Sequence, residues 1–223
     1  MTAPSCISFT YAALRAIRNG AIAMFLLILP AHAEQVTIAA LGDSLTAGYG
    51  LAPAEGFVPQ LQAWLQAKGA DVVVLNAGVS GDTTAGGAAR LDWTLTPDVG
   101  ALIVTLGGND LLRGIDPAES RANLDAILKS ATGRGLPVLL IGMQAPGNYG
   151  PDYKSSFDAI YPELAQTYKT LLAPSFFAGL GDDPVAARGF LQADGLHPNP
   201  AGVAAIVENL GPQVLELLTK VAN

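Results

Sequence analysis

Four short apolar runs punctuate the chain, at residues 36–41 (VTIAAL), 72–75 (VVVL), 101–106 (ALIVTL) and 137–141 (PVLLI). None alternates with polar positions, which is the pattern of strands buried on both faces of a parallel sheet. A fifth run at 171–177 is interrupted by Pro174, and proline cannot donate to a central ladder. Between the runs the period lengthens to that of a helix. Phe57, Leu61, Trp64 and Leu65 form one stripe, Leu124, Ile127 and Leu128 a second, and Val203, Ile206, Val207 and Leu210 a third. Asp116-Pro117-Ala118-Glu119 reads as an N-cap, a proline at the first helical position and a capping-box acid. Asn199-Pro200 opens the last helix, which Gly211-Pro212 is expected to kink or restart. Strand and helix alternate, so the pattern predicts an α/β fold: a three-layer α/β/α domain on a parallel sheet of about five strands. In such sheets ligands bind beyond the carboxyl ends of the strands.

The first thirty-three residues follow a different pattern. They contain no Asp or Glu, carry Arg15 and Arg18, and continue into the apolar run 21–29, Pro30 and the small-residue pair Ala31-His32-Ala33. This is the layout of a cleavable signal peptide. The nine apolar residues of 21–29 fall well short of the ~20 needed to span a bilayer. The expectation is therefore a leader at 1–33, cleavage after Ala33, one domain at 34–223, no stable membrane anchor, and a periplasmic or secreted enzyme. Cys6 and His32 both lie in the leader, so His197 is the one imidazole beyond it. With a single cysteine in 223 residues, neither a disulfide framework nor a zinc site on paired thiolates is available. Twelve basic against nineteen acidic residues leave a net charge of −7, and no basic face is visible for a nucleic acid.

Polar chemistry collects where the runs end: Gly42-Asp43-Ser44-Leu45 after the first, Gly78-Val79-Ser80-Gly81-Asp82 after the second, and Gly107-Gly108-Asn109-Asp110 after the third. Near the C-terminus stands Asp194-Gly195-Leu196-His197-Pro198. Each alone reads as turn or cap chemistry. Together at one sheet edge they supply a serine, glycine and asparagine amides, and a tethered Asp-His pair, the parts of an acyl-transfer site. Asp194, three residues before His197, is close enough to bond Nδ1–H and leave Nε2 to take a serine proton.

These four blocks, in this order, resemble the SGNH hydrolases, also called the GDSL esterase/lipase family. The stretches 106–114 and 146–150 and Ile160-Tyr161-Pro162 are similar to its secreted bacterial arylesterase, thioesterase and lysophospholipase group. The resemblance implies a flavodoxin-like fold, Ser44 as nucleophile, His197 as base and Asp194 as orienter. It further implies an oxyanion hole from the N–H groups of Ser44 and Gly81 and the Asn109 side chain. It implies no cofactor and no metal, with a small ester or thioester, acyl or aryl, as the substrate of a monomer. A carbohydrate acetyl-esterase of the same fold and a non-catalytic lipid- or carbohydrate-binding relative are the alternatives.

Leu111, Leu112, Ile115, Met143, Pro146 and Tyr149 are candidates for an acyl groove, although each also fits ordinary packing. Arg113 could meet an anionic leaving group or be a structural arginine; Asp43 and Asp110 are expected to hold their loops. No G-x-S-x-G, complete G-x-G-x-x-G or P-loop occurs.

Overall fold

The computed structural model describes residues 35–181 and 183–221; the expected leader lies outside them. Five strands, β1 (Val36–Gly42), β2 (Val72–Gly78), β3 (Val99–Thr105), β4 (Val138–Ile141) and β5 (Leu171–Ala173), form one sheet in the order β2-β1-β3-β4-β5. All four pairings are parallel. The helices are α1 (Ser44–Ala47), α2 (Phe57–Ala67), α3 (Thr84–Ala89), α4 (Leu91–Thr94), α5 (Gly108–Arg113), α6 (Pro117–Gly133), α7 (Pro151–Asp158), α8 (Ile160–Tyr168), α9 (Pro184–Ala187) and α10 (Pro200–Leu218). α2 packs against α10, and α3 against α6, which also meets α8. Those two helix groups and the sheet between them make the expected three layers.

The apolar runs behave as their pattern predicts at the centre and less so at the edges. Ile38–Leu41 of β1 and Ala101–Val104 of β3 are essentially inaccessible. On β2, an edge strand, Leu75 is exposed. β5 is only three residues long because the chain leaves the ladder at Pro174. The stripe of α2 buries Phe57, Leu61 and Leu65 while Trp64 stays partly exposed. α6 begins as expected, with Asp116 Oδ1 accepting from Ala118 N–H at 2.9 Å and Pro117 at its first position. The reciprocal Glu119 bond of a capping box is not formed among the described residues; the acid stays in the first turn, where the helix dipole favours it. α10 runs through Pro212 without a restart. Val214 and Leu217 beyond the proline are fully buried, and that burial offsets the lost hydrogen bond.

Strand order changes direction at β1: β2 lies on one side of it and β3 on the other. Such a switch point opens a crevice at the carboxyl ends of the strands. β1 delivers Gly42-Asp43-Ser44 to it, and β3 delivers Gly107-Gly108-Asn109.

Candidate active site

Ser44 is the first residue of α1, directly after β1. Its carboxylate neighbour caps this four-residue helix: Asp43 Oδ1 accepts from Leu45 N–H at 3.0 Å. The close turn needs a glycine before it, because a Cβ on Gly42 would stand 2.0 Å from Thr46 Oγ1. Asp43 is 1% exposed. Burial pushes its carboxyl up to about 6, against the lowering effects of Leu45 N–H, the His197 charge and the Asn109 amide.

The Asp-His loop reaches Ser44 from the far end of the chain. Asp194 Oδ1 accepts from Leu196 N–H at 2.9 Å and His197 N–H at 3.1 Å, leaving Oδ2 for His197 Nδ1 at 2.7 Å. Those donors, Leu196 N–H foremost, hold the Asp194 carboxyl down at about 2. It therefore stays ionised at any working pH. His197 Nε2 lies 2.8 Å from Ser44 Oγ. In the neutral tautomer that keeps Nδ1–H on the carboxylate, Nε2 carries no proton and can draw one from Oγ. Gln192 braces the loop: its N–H reaches His197 O, and Nε2 donates to Pro198 O and to Tyr49 O. Tyr49 lies against the imidazole, with ring centroids 4.7 Å apart.

Residues 79–82 form a tight turn closed by Asp82 N–H to Val79 O at 3.0 Å. Gly81, third in the turn, has φ 87°, the left-handed value that a type II turn demands and glycine supplies. The bond that closes the turn comes from Asp82 N–H, so Gly81 N–H is not the donor that spans it. Arg113 Nη2 donates to Gly81 O at 2.8 Å, so this guanidinium helps to hold the turn. Asn109 Nδ2 donates to Asp82 O at 2.9 Å and faces Asp43 Oδ2 at 3.4 Å. The second contact is at the weak end of hydrogen bonding, which leaves one amide hydrogen available to a stronger acceptor. Ser44 N–H, in the first turn of α1, is likewise free of an intrahelical partner.

Deeper groups hold these loops. Asp110 is fully buried and accepts from Thr84 N–H, Thr84 Oγ1 and Ser120 Oγ at 2.9, 2.6 and 2.9 Å. Tyr161 Oη donates to Leu106 O at 2.9 Å, and burial keeps that hydroxyl protonated. A Cβ on Gly107 (φ 116°) would meet Tyr161 Oη at 2.1 Å.

Ser44, Gly81, Asn109 and His197 line one cavity of about 700 Å³. Leu111, Leu112, Met143, Pro146 and Tyr149 line it too. Ile115 does not: Gly114 (φ 62°) ends α5 and turns the chain away, and Ile115 O accepts from Tyr153 Oη instead. The sequence reading missed Leu45, Tyr49, Phe177 and Leu196 in this wall. Leu45 and Leu196 stand inside the Ser44 and His197 blocks, Phe177 closes the run at 171–177, and Tyr49 lies four residues past the Ser44 block, so all four fall in or just beyond segments already singled out for other reasons. Among the described residues no group of three or more His, Cys, Asp and Glu side chains stands close enough to hold a metal.

The model of the GDSL-like Lipase/Acylhydrolase family matches residues 40–205, a stretch that holds all four blocks. The chain belongs to this family. As a member it is a carboxylic ester hydrolase of the serine type. The Esterase TesA of Pseudomonas aeruginosa is 42% identical over 201 residues, covering 90% of this chain and 97% of that protein. The Thioesterase 1/protease 1/lysophospholipase L1 of Escherichia coli K12 is 34% identical over 197 residues, 87% of this chain and 91% of its own. The crystal structure of TesA superposes with a TM-score of 0.74 at 41% identity, covering 81% of this chain and 99% of that one.

Proposed function

We propose that Ser44 is the nucleophile of this esterase, His197 its general base and Asp194 the residue that orients the base. The observation that carries this reading is the continuous relay from Asp194 Oδ2 through His197 to Ser44 Oγ, at 2.7 and 2.8 Å, on the wall of the cavity. Ser44 Oγ attacks the carbonyl carbon while Nε2 takes its proton, and the carbonyl oxygen becomes an oxyanion. The N–H groups of Ser44 and Gly81 and the second Asn109 amide hydrogen receive it, as fixed donors that need no reorganisation. The tetrahedral adduct collapses as His197 gives its proton to the leaving alcohol or thiol. Water then repeats the sequence on the acyl-enzyme and releases the acid.

Leu45, Leu111, Met143 and Phe177 make the wall beside Ser44 largely apolar, which suits an acyl or aryl group better than an acetylated sugar. The substrate class is therefore a carboxylic ester or thioester with an apolar acyl or aryl part. Residues 1–33 act as a leader removed after Ala33, so that the domain 34–223 works as a monomer in the periplasm or outside the cell. No helix of the described residues is long and apolar enough to cross a membrane.

A fluorophosphonate probe followed by peptide mass mapping tests the assignment. One adduct per chain, on Ser44, with parallel loss of p-nitrophenyl ester turnover, is the expected result. An unlabelled Ser44 in inactivated enzyme would remove it from the nucleophile's place.

A further inference from the structure

Arg90 was singled out by none of the sequence blocks, yet it touches three of the segments that build the site. It stands at the junction of α3 and α4. Its Nη2 donates to Gly42 O at 2.8 Å, Nη1 to Ala77 O at 2.7 Å and Nε to Asp82 Oδ2 at 2.6 Å. The first two acceptors are carbonyls near the carboxyl ends of β1 and β2, where the ladder is running out of donors. Gly42 O also takes Val79 N–H at 3.0 Å, which starts the turn carrying Gly81. The third acceptor belongs to Asp82, the residue after Gly81, whose own carbonyl holds Asn109 Nδ2 at 2.9 Å.

We infer that Arg90 is a positioning residue for the oxyanion site, setting the Gly81 turn and the Asn109 amide from one guanidinium. The inference rests on the reading of Gly81 and Asn109 as oxyanion donors. Arg90 touches no part of the cavity wall and acts only through the groups it holds. Through Gly42 it fixes the strand end that precedes Ser44; through Ala77 it fixes the end of β2 that leads into the turn, and through Asp82 the turn's last residue. Through Asp82 it also fixes the carbonyl that aims the Asn109 amide. A planar guanidinium can serve three acceptors in fixed directions, whereas a lysine offers one point charge on a flexible stem. Side chains of both Arg90 and Asp82 are about four-fifths shielded from solvent (23% and 19% exposed), so water replaces the bridge poorly.

Two donors displaced by a fraction of an ångström still bind substrate but hold the oxyanion less well, so the loss falls on kcat. The test is a double-mutant cycle on the purified protein with p-nitrophenyl butyrate, using Arg90→Gln, Asn109→Ala and their combination, with melting curves alongside. Arg90→Gln is expected to lower kcat about 10- to 100-fold with little change in KM. In the Asn109→Ala background the same change is expected to cost clearly less than in the wild type, because the share of its effect carried by the Asn109 amide is already gone while the Gly81 share remains. Arg90→Lys should recover little of the loss. Full multiplication of the two effects, or a loss confined to KM or to melting temperature, would overturn the inference. An unchanged kcat in Asn109→Ala alone would instead overturn the oxyanion role of Asn109 beneath it. Should Arg90→Gln fail to fold, Asp82→Ala cuts the Asp82 link while keeping the backbone carbonyl that holds Asn109. A kcat loss that is again muted without Asn109 supports the inference, and an unchanged kcat overturns it.

Discussion

Asp43→Asn should make this esterase more stable and slower at the same time. The wild-type carboxylate is sealed under Ser44 at 1% exposure, and burial raises its pKa from 3.8 to about 6. Between those values the folded chain holds a proton that the unfolded chain has released, so stability falls as pH rises through the window. Above it the cost of the buried charge is fully developed. At about 1.4 kcal/mol for each tenfold in the protonation equilibrium, the displacement amounts to roughly 3 kcal/mol. Asparagine has the same shape, can still accept from Leu45 N–H and carries no charge to bury. Urea unfolding of both proteins at pH 8 and pH 4 isolates the effect, since every other titrating group is common to the pair. The variant should be the more stable at pH 8 by up to roughly 3 kcal/mol, less whatever the charged cap contributes. That advantage should vanish at pH 4, where the wild-type carboxyl is protonated in the fold. Turnover should suffer, because the amide that replaces Oδ2 sets a donor opposite Asn109 Nδ2, 3.4 Å away in the wild type. The reasoning is refuted if the two proteins share one pH dependence of stability, or if the asparagine variant is the weaker at pH 8.

Three further outcomes are expected. Ser44→Ala and His197→Ala should each cost up to ~10⁶ in kcat, and the double variant little more, because both serve a single proton transfer; multiplicative losses in steady-state kinetics would separate their roles. Asn109→Ala should lower kcat by ~10²–10³ with KM nearly unchanged, since the oxyanion exists only after attack; a rise in KM alone would make it a substrate-binding residue. N-terminal sequencing of exported protein should begin at Glu34, and a chain beginning at Met1 in the membrane fraction would make 21–29 an anchor.

How far the sequence could be read depended on whether a residue's partner lay nearby along the chain. β1 and β3 were legible because burial on both faces leaves an unbroken apolar run. The strand ends at Gly42 and Gly78, which pair with each other across the sheet, carry no such signal, and the apolar runs stop one and three residues short of them. Asp116 was legible as a cap because its acceptor work is done two residues away. Asp194 and His197 were legible for the same reason: three residues of separation confine them to one loop. Tyr49 against His197 and Arg90 against Gly42 join residues far apart in sequence, and no local pattern announces such a pair. The continuation of α10 through Pro212 belongs here too, since only tertiary burial of Val214 and Leu217 outweighs what a proline does locally.

The relay joins residues 44 and 197, almost the two ends of the described chain. Ser44 stands just after β1, the first strand of the described residues, while His197 arrives on a loop near the other end, held in part by the helix that follows it. Asn199, which caps α10 through Gly202 N–H at 2.9 Å, also ties that loop to Gly189 O and Leu191 O. A partly made or partly unfolded chain therefore has a serine with no base, and catalysis switches on when α10 docks on α2. The hydrolase carries its own assembly check: esterase activity during refolding should appear with the last helix, and a truncation before residue 200 should leave an inert fold.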